Sequence, residues 1–258
     1  MKEQHVIEVN KDLCIGCGLC KNDCPVNNIT IIDKKSNIKN QNCIKCCHCE
    51  AICPTKAITI TGFNELPIEL AKQPILDSNE LLMAIKSRRT IRKFKNKEVP
   101  SEIIKKIIEA GRFTPSAKNA QDVSYLVLDK NKSEYEKIAV KFFRRIKPIA
   151  GLFMKSAKEI TIDDNFFFKE APIVIMVLTK DKISGSLAAS NMALMAESCG
   201  LGVLYSGFFT SVVNHSSKLR KHLKLKNNDY VVTTLVIGYP DIKYRRTAQK
   251  EEAKVTYL

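Results

Sequence analysis

Cys14-Ile15-Gly16-Cys17-Gly18-Leu19-Cys20-Lys21-Asn22-Asp23-Cys24-Pro25 and Cys43-Ile44-Lys45-Cys46-Cys47-His48-Cys49-Glu50-Ala51-Ile52-Cys53-Pro54 are two copies of one pattern, C-x2-C-x2-C-x3-C-P. Cys43 follows Cys14, and Cys53 follows Cys24, by 29 positions. The repeat runs past the cysteines, because Ile29-Thr30-Ile31 recurs as Ile58-Thr59-Ile60. A duplicated strand is therefore expected after each run. Of the 10 cysteines, only Cys199 lies outside this stretch. The opening residues Met1 to His5 carry an acid and no apolar run, which argues against a secretory signal. In a reducing compartment, clustered thiols bind metal more often than they pair as disulfides.

Three thiolates at three-residue spacing wrap one face of an iron–sulfur cubane. The fourth cysteine, followed by proline, ligates the other cluster in two-cluster proteins. On that rule Cys14, Cys17, Cys20 and Cys53 hold one 4Fe–4S cluster, and Cys43, Cys46, Cys49 and Cys24 hold the second. Zinc is the competing reading, but its sites usually pair two C-x2-C units or add histidines. Residues 5–62 resemble the bacterial two-cluster ferredoxins. Cys47 and His48 are surplus to both ligand sets and receive no role. A ferredoxin has no substrate pocket, so the acceptor is expected in the rest of the chain.

The chain has 258 residues, 45% hydrophobic and 27% charged, ordinary for a globular protein. No run approaches the length needed to cross a bilayer, and a cytoplasmic protein is expected. The net charge of +15 is uneven. Residues 1–62 hold 8 basic and 6 acidic side chains, and residues 63–258 hold 34 and 21. The excess reads as a lysine-rich solvated surface rather than a nucleic-acid footprint. The Lys218–Lys226 run alternates charge with leucine and reads as a solvated helix face.

Pro67 and Pro74 mark residues 63–77 as a linker between a ferredoxin-like domain, 1–62, and a second domain, 78–258. Asp77 with Glu80 predicts a helix start, with Leu81, Leu82 and Ile85 as its apolar face. Ile103, Ile104, Ile107 and Ile108 form one helical stripe after Pro100-Ser101, and Gly111 is expected to end it. Val123, Tyr125 and Val127 alternate as a strand, and Ala171–Thr179 reads as a buried one. A helix is expected from about Ala188 to Cys199, then a short strand over Leu204–Phe208. A basic helix over Ser216–Leu223 and a strand over Tyr230–Tyr239 follow. Pro148 and Gly151 interrupt residues 141–158, a segment read as a lid on the substrate side. Strands and helices alternate irregularly, which predicts an α+β or α/β layered domain.

The order of motifs carries a second resemblance. Arg88-Arg89-Thr90-Ile91-Arg92, then Pro115-Ser116-Ala117-Lys118-Asn119-Ala120-Gln121, then Gly200-Leu201-Gly202 with Ser206-Gly207-Phe208, then Ile237-Gly238-Tyr239-Pro240 with a basic tail, resembles the FMN-dependent nitroreductase family over residues 78–258. A ferredoxin fused to such a unit is an arrangement known in that family. The resemblance implies the α+β form, with a central sheet in three layers, and a homodimer with FMN at its interface. It implies Arg88 and Arg92 on phosphate or ribityl oxygens, and Arg89 and Thr90 at the pyrimidine edge. Pro115, Ser116, Ala117 and Asn119 would reach the flavin from the other subunit. The backbone at Ser206 and Gly207 would face its reactive nitrogen. Arg246 and Lys250 would return to the phosphate. No catalytic acid or base is assigned, because the flavin carries the chemistry.

The function expected is an oxidoreductase passing electrons between two clusters, FMN and a small organic acceptor of the nitro or quinone type. The donor is NAD(P)H or a reduced ferredoxin. The alternative is a redox carrier or sensor without substantial turnover. Neither nucleic-acid binding nor membrane insertion is expected.

Overall fold

Each cysteine run must turn its thiols inward at short intervals, and left-handed backbone makes this possible. The computed structural model describes residues 5–153 and 158–258. They form two compact units, residues up to 75 together with 118–120, and residues 76–117 together with 121–258.

In the first unit, β1 (Ile7–Val9) pairs antiparallel with β4 (Ile58–Ile60), and β2 (Ile29–Ile32) with β3 (Lys35–Ile38). Asp33 and Lys34, with φ of 49° and 59°, make the two-residue turn of the β2–β3 hairpin. Left-handed turns suit the twist of such hairpins. Gly16 (φ +68°) packs against that turn: a Cβ there would lie 2.1 Å from the Lys34 carbonyl oxygen. The one-turn helices α1 (Leu19–Asn22) and α2 (His48–Ala51) follow left-handed Gly18 and Cys47. The repeat-related Ile29 and Ile58 are both buried, with Ile7, Cys20 and Cys49. The strand expected after each cysteine run is present in both copies.

The second unit begins with α3 (Ser78–Ser87), where Asp77 Oδ1 accepts the Glu80 N–H at 2.8 Å. The expected apolar face of α3 is not buried. Leu82 and Ile85 are half exposed.

The sheet of this unit runs β5-β6-β8-β7, antiparallel throughout. Its strands are β5 (Ser124–Leu128), β6 (Ile173–Leu178), β7 (Gly202–Tyr205) and β8 (Val231–Gly238). All six residues of β6 are buried, since both faces of the sheet are covered. Ile173, Ile175 and Val177 pack beneath α4 (Ser101–Arg112) and α6 (Lys182–Ser198). Val174, Met176 and Leu178 join Phe167, Phe168 and the faces of α5 (Lys132–Phe153), α7 (Gly207–His215) and α8 (Ser217–His222). The α+β, three-layer class follows from this alternation.

Several boundaries differ from the sequence reading. Gly111 lies inside α4 rather than ending it. A Cβ there would sit 2.6 Å from Tyr125 Oη and 2.9 Å from the Met192 side chain, so the glycine serves close packing. The helix expected from Ala188 starts at Lys182, capped by Asp181, which accepts the N–H groups of Ile183 and Ser184. The strand expected over Leu204–Phe208 ends at Tyr205, and α7 starts at Gly207. Helix α5 continues through Pro148, which forfeits one backbone hydrogen bond. Residues 154–157, within the proposed lid, lie outside the described residues.

Candidate functional site

The loops fold so that the eight repeat cysteines line two separate cavities. Cys14, Cys17 and Cys20 of the first run line one cavity together with Cys53 of the second. Cys43, Cys46 and Cys49 line the other together with Cys24 of the first run. Aliphatic walls, Ile31 and Ile58 in one and Ile29, Ile38 and Ile60 in the other, keep these spaces apolar.

Backbone donors are aimed at the sulfurs. Asn28 N–H reaches Cys24 Sγ at 3.4 Å, and Ala57 N–H reaches Cys53 Sγ at 3.3 Å. Asn28 and Ala57 are the same position in the two repeats. Ser36 N–H donates to Cys14 Sγ and Lys45 N–H to Cys43 Sγ, both at 3.3 Å. Donors to sulfur stabilise thiolates and tune cluster potential. Burial lifts the Cys53 thiol, but hydrogen bonds from Ala57 and Thr55 outweigh it and hold it below the ordinary value. Burial pushes the Cys49 thiol up to about 12. A bound metal would have to displace that proton. The donor set, the shared cavities and the N–H groups aimed at sulfur all fit iron–sulfur clusters.

Cys47 is half-buried and holds the left-handed position before α2; its thiol donates to Lys45 O at 3.6 Å, and burial raises it to about 11. His48 Nδ1 lies 3.2 Å from Asp23 Oδ2. Nothing in the spacing of the cysteines announced that pair.

In the second unit the arginine motif runs along the sheet edge. Thr90 bridges Val203 of β7 in parallel, and Ile91 N–H donates to Val203 O at 3.1 Å. This brings Arg88–Arg92 alongside the strand that leads into Ser206 and Gly207. Arg88 faces Tyr205 and Glu197. Burial raises the Tyr205 hydroxyl and the Glu197 carboxyl above their ordinary values, and Arg88 opposes both shifts. Arg89 donates to Arg246 O at 3.0 Å and lies 5.8 Å from the Tyr244 ring, which draws the tail to the first motif. Arg92 reaches back to Thr90 O at 3.5 Å. Lys250 is exposed.

Ser206 is buried, and its hydroxyl does not cap α7. At Gly207 a Cβ would meet nothing within 4 Å, so the helix start opens on free space. Unpaired N–H groups and the positive end of the helix dipole at such a place suit an electron-rich ligand edge. The arginine side chains and this bare turn fit a flavin mononucleotide by charge and by room.

Of the loop Pro115–Asn119, residues 115–117 belong to the second unit. Ala117 N–H donates to Ser184 Oγ at 3.3 Å, and Ser116 Oγ accepts from Gln121 N–H at 3.0 Å. Lys118–Ala120 group with the first unit, where Asn119 donates to the carbonyls of Ile44 and Lys45 at 3.0 and 2.8 Å.

A fold of this kind, with a cysteine-rich electron module in the same chain, defines a redox enzyme. The model of the Nitroreductase family matches residues 85–239, and that of a 4Fe-4S dicluster domain matches residues 6–54. The chain belongs to the nitroreductase family and is an oxidoreductase. A protein of Methanothermobacter thermautotrophicus, provisionally named an NADH dehydrogenase/NAD(P)H nitroreductase, is 28% identical over 170 residues, 62% of this chain and 78% of its own length. An iodotyrosine deiodinase of Hydra vulgaris is 24% identical over 200 residues, 66% of this chain and 68% of its own. Among solved structures, a nitroreductase with bound FMN from Desulfitobacterium hafniense superposes with a TM-score of 0.59 at 20% identity, covering 70% of this chain and all of that one. An FMN-dependent nitroreductase from Clostridium difficile gives 0.56 at 19% identity, with the same coverage.

Among the described residues, no helix is long and apolar enough to cross a membrane.

Proposed function

We propose that this oxidoreductase carries two 4Fe–4S clusters and FMN, and passes electrons between them and a small organic acceptor of the nitro or quinone type. The single observation that carries the reading is the exchange of the fourth cysteine. Cys53 lines the cavity of Cys14, Cys17 and Cys20, and Cys24 lines that of Cys43, Cys46 and Cys49. Two clusters ligated across the repeat need that arrangement.

Bound clusters would supply one-electron steps, and bound FMN would couple those to the two-electron chemistry of an organic acceptor. The chain's own residues do the rest. Arg88, Arg89 and Arg92, with Arg246 and Lys250 of the tail, would neutralise the phosphate and the pyrimidine edge. Thr90 belongs to the same set. The backbone at Ser206 and Gly207 would donate to the flavin ring, and positive groups nearby favour its reduced anion. Pro115, Ser116, Ala117 and Asn119 would complete the site in a homodimer. The uncovered apolar face of α3 and the exposed tail residues Val255, Tyr257 and Leu258 support such a dimer. The electron donor is NAD(P)H or a reduced ferredoxin, and the thiol-rich clusters suit a reducing cytoplasm.

The test is the composition of the protein purified without oxygen. About eight iron and eight sulfide per chain, with one FMN, are expected from two cubanes and one flavin site. About half that iron, or no flavin, would overturn the reading.

A further inference from the structure

Helix α5 carries a buried carboxylate that the proposed chemistry does not use. Glu136 is 4% exposed. Its Oε1 accepts both the Phe167 N–H at 2.9 Å and the Phe168 N–H at 2.7 Å. The segment it grips ends in a tight turn, with Lys169 and Glu170 both left-handed and Ala171 N–H bonded to Phe168 O. Phe167 and Phe168 are buried and pack on Phe209, with ring centroids 5.7 and 4.6 Å away. Phe166 packs edge-on against Phe167 at 5.1 Å and also meets Phe143 at 5.6 Å and Phe208 at 5.9 Å, while Phe143 reaches Phe167 at 5.4 Å. Phe143 and Phe208 are 5.3 Å apart, so the three rings close a triangle. Phe208 is half exposed and directly follows Gly207.

We infer that Glu136 is a positioning residue: by holding the backbone of Phe167 and Phe168 it sets Phe166 against Phe143 and Phe208, and these rings form a wall beside the Ser206–Gly207 turn that receives the flat face of an aromatic acceptor. This rests on the flavin reading above. Offset and edge contacts between rings reward a planar substrate and do nothing for a small inorganic one. Lys169 reinforces the wall, its ammonium 5.0 Å from the Phe166 ring.

The charged groups facing the carboxylate are Lys169, which favours its ionised form, and Asp163, which opposes it. The faces of α7 and α8 packed there are apolar, with Phe209, Val212 and Leu219. Burial raises Glu136 to about 7. An ionised acceptor binds N–H groups more strongly than a neutral one. The grip therefore weakens as pH falls through that value.

The experiment reduces the holoenzyme photochemically and follows its reoxidation in a stopped-flow instrument by p-nitrobenzoate or by ferricyanide. Phe166→Ala and Glu136→Leu should raise the half-saturating concentration of p-nitrobenzoate about two- to tenfold, the worth of one ring contact. The limiting rate and the reaction with ferricyanide should stay as in the wild type. Amide exchange across residues 160–171 should quicken in Glu136→Leu but not in Phe166→Ala. In the wild type, half-saturation should rise as pH falls from 8 to 6. Glu136→Gln keeps an oxygen acceptor but no charge, so it should show the wild type's low-pH value throughout. That comparison decides the matter if Glu136→Leu fails to fold. Unchanged half-saturation in Phe166→Ala overturns the wall. Unchanged exchange in Glu136→Leu, or a pH dependence retained in Glu136→Gln, overturns the positioning role. A wild type that binds no flavin overturns the functional reading instead, while the exchange data still decide what Glu136 holds.

Discussion

Gly202 opens β7 against the arginine motif, and replacing it by alanine tests whether that contact aligns the motif. The new Cβ would lie 2.3 Å from Ile91 Cγ1, 2.9 Å from Ile91 Cβ and 3.0 Å from Pro240 Cγ. Carbon atoms settle about 3.5–4.0 Å apart, so the segment must retreat by more than about 1 Å. Ile91 is 5% exposed and cannot swing into water, and its N–H is tied to Val203 O. Overpacking of this kind costs about 1–3 kcal/mol. For a unit of this size that lowers the thermal midpoint by about 2–4 °C per kcal/mol. The displaced residues are Thr90, Ile91 and Arg92, so FMN affinity, read by flavin fluorescence, should fall as well. Ile91→Ala alone should cost about 2–5 kcal/mol through its cavity. In the double variant the new methyl enters that cavity, and the two costs should fall short of additivity by about 1 kcal/mol or more. A Gly202→Ala protein that melts within a degree of the wild type, or costs that simply add, would refute the reasoning.

Three further outcomes follow from other parts of the structure. Cys53→Ser should abolish the electron paramagnetic resonance signal of the cluster on Cys14, Cys17 and Cys20 and spare the other, although Cys53 sits in the second run; Cys24→Ser should do the reverse. Glu136, raised from its unfolded value to about 7, binds a proton more tightly in the folded chain. Its contribution to stability is therefore full at low pH and is lost as pH rises through about 7, so thermal midpoints should fall between pH 5 and 8 more in the wild type than in Glu136→Gln. Leu82→Lys with Ile85→Lys on α3 should shift the protein from dimer to monomer in analytical ultracentrifugation, while leaving the far-ultraviolet circular dichroism unchanged.

In the first unit the cysteine pattern and the strand after each run were legible, but the β2–β3 hairpin was not, and the unit runs to residue 75 and takes in 118–120, past the boundary expected at 62. A cluster ligand set constrains spacing so tightly that chemistry and fold are written in the same letters. In the second unit, β6 and the stripe of α4 declared themselves through periodicity, since both bury whole faces. What escaped was mostly glycine used for proximity. Gly185 lies inside α6, ahead of the start expected at Ala188, and a Cβ there would come 2.7 Å from Val232. Gly111 misled in the same way. The apolar face of α3 was legible as a face, but its exposure was not, because a sequence records that a face is apolar and not what covers it. Glu136 gave no signal at all: its partners are backbone N–H groups about thirty residues away. The arginine and Ser206-Gly207 motifs came from resemblance, and the structure lays them side by side through the Thr90–Val203 bridge.

The central claim is that clusters and flavin exchange electrons within one enzyme. The most direct measurement reduces the anaerobic holoenzyme fully, adds p-nitrobenzoate below the reducing capacity, and follows cluster and flavin absorbance separately. The account predicts that both chromophores reoxidise, the clusters through the flavin. Clusters that remain reduced while the flavin turns over would contradict it.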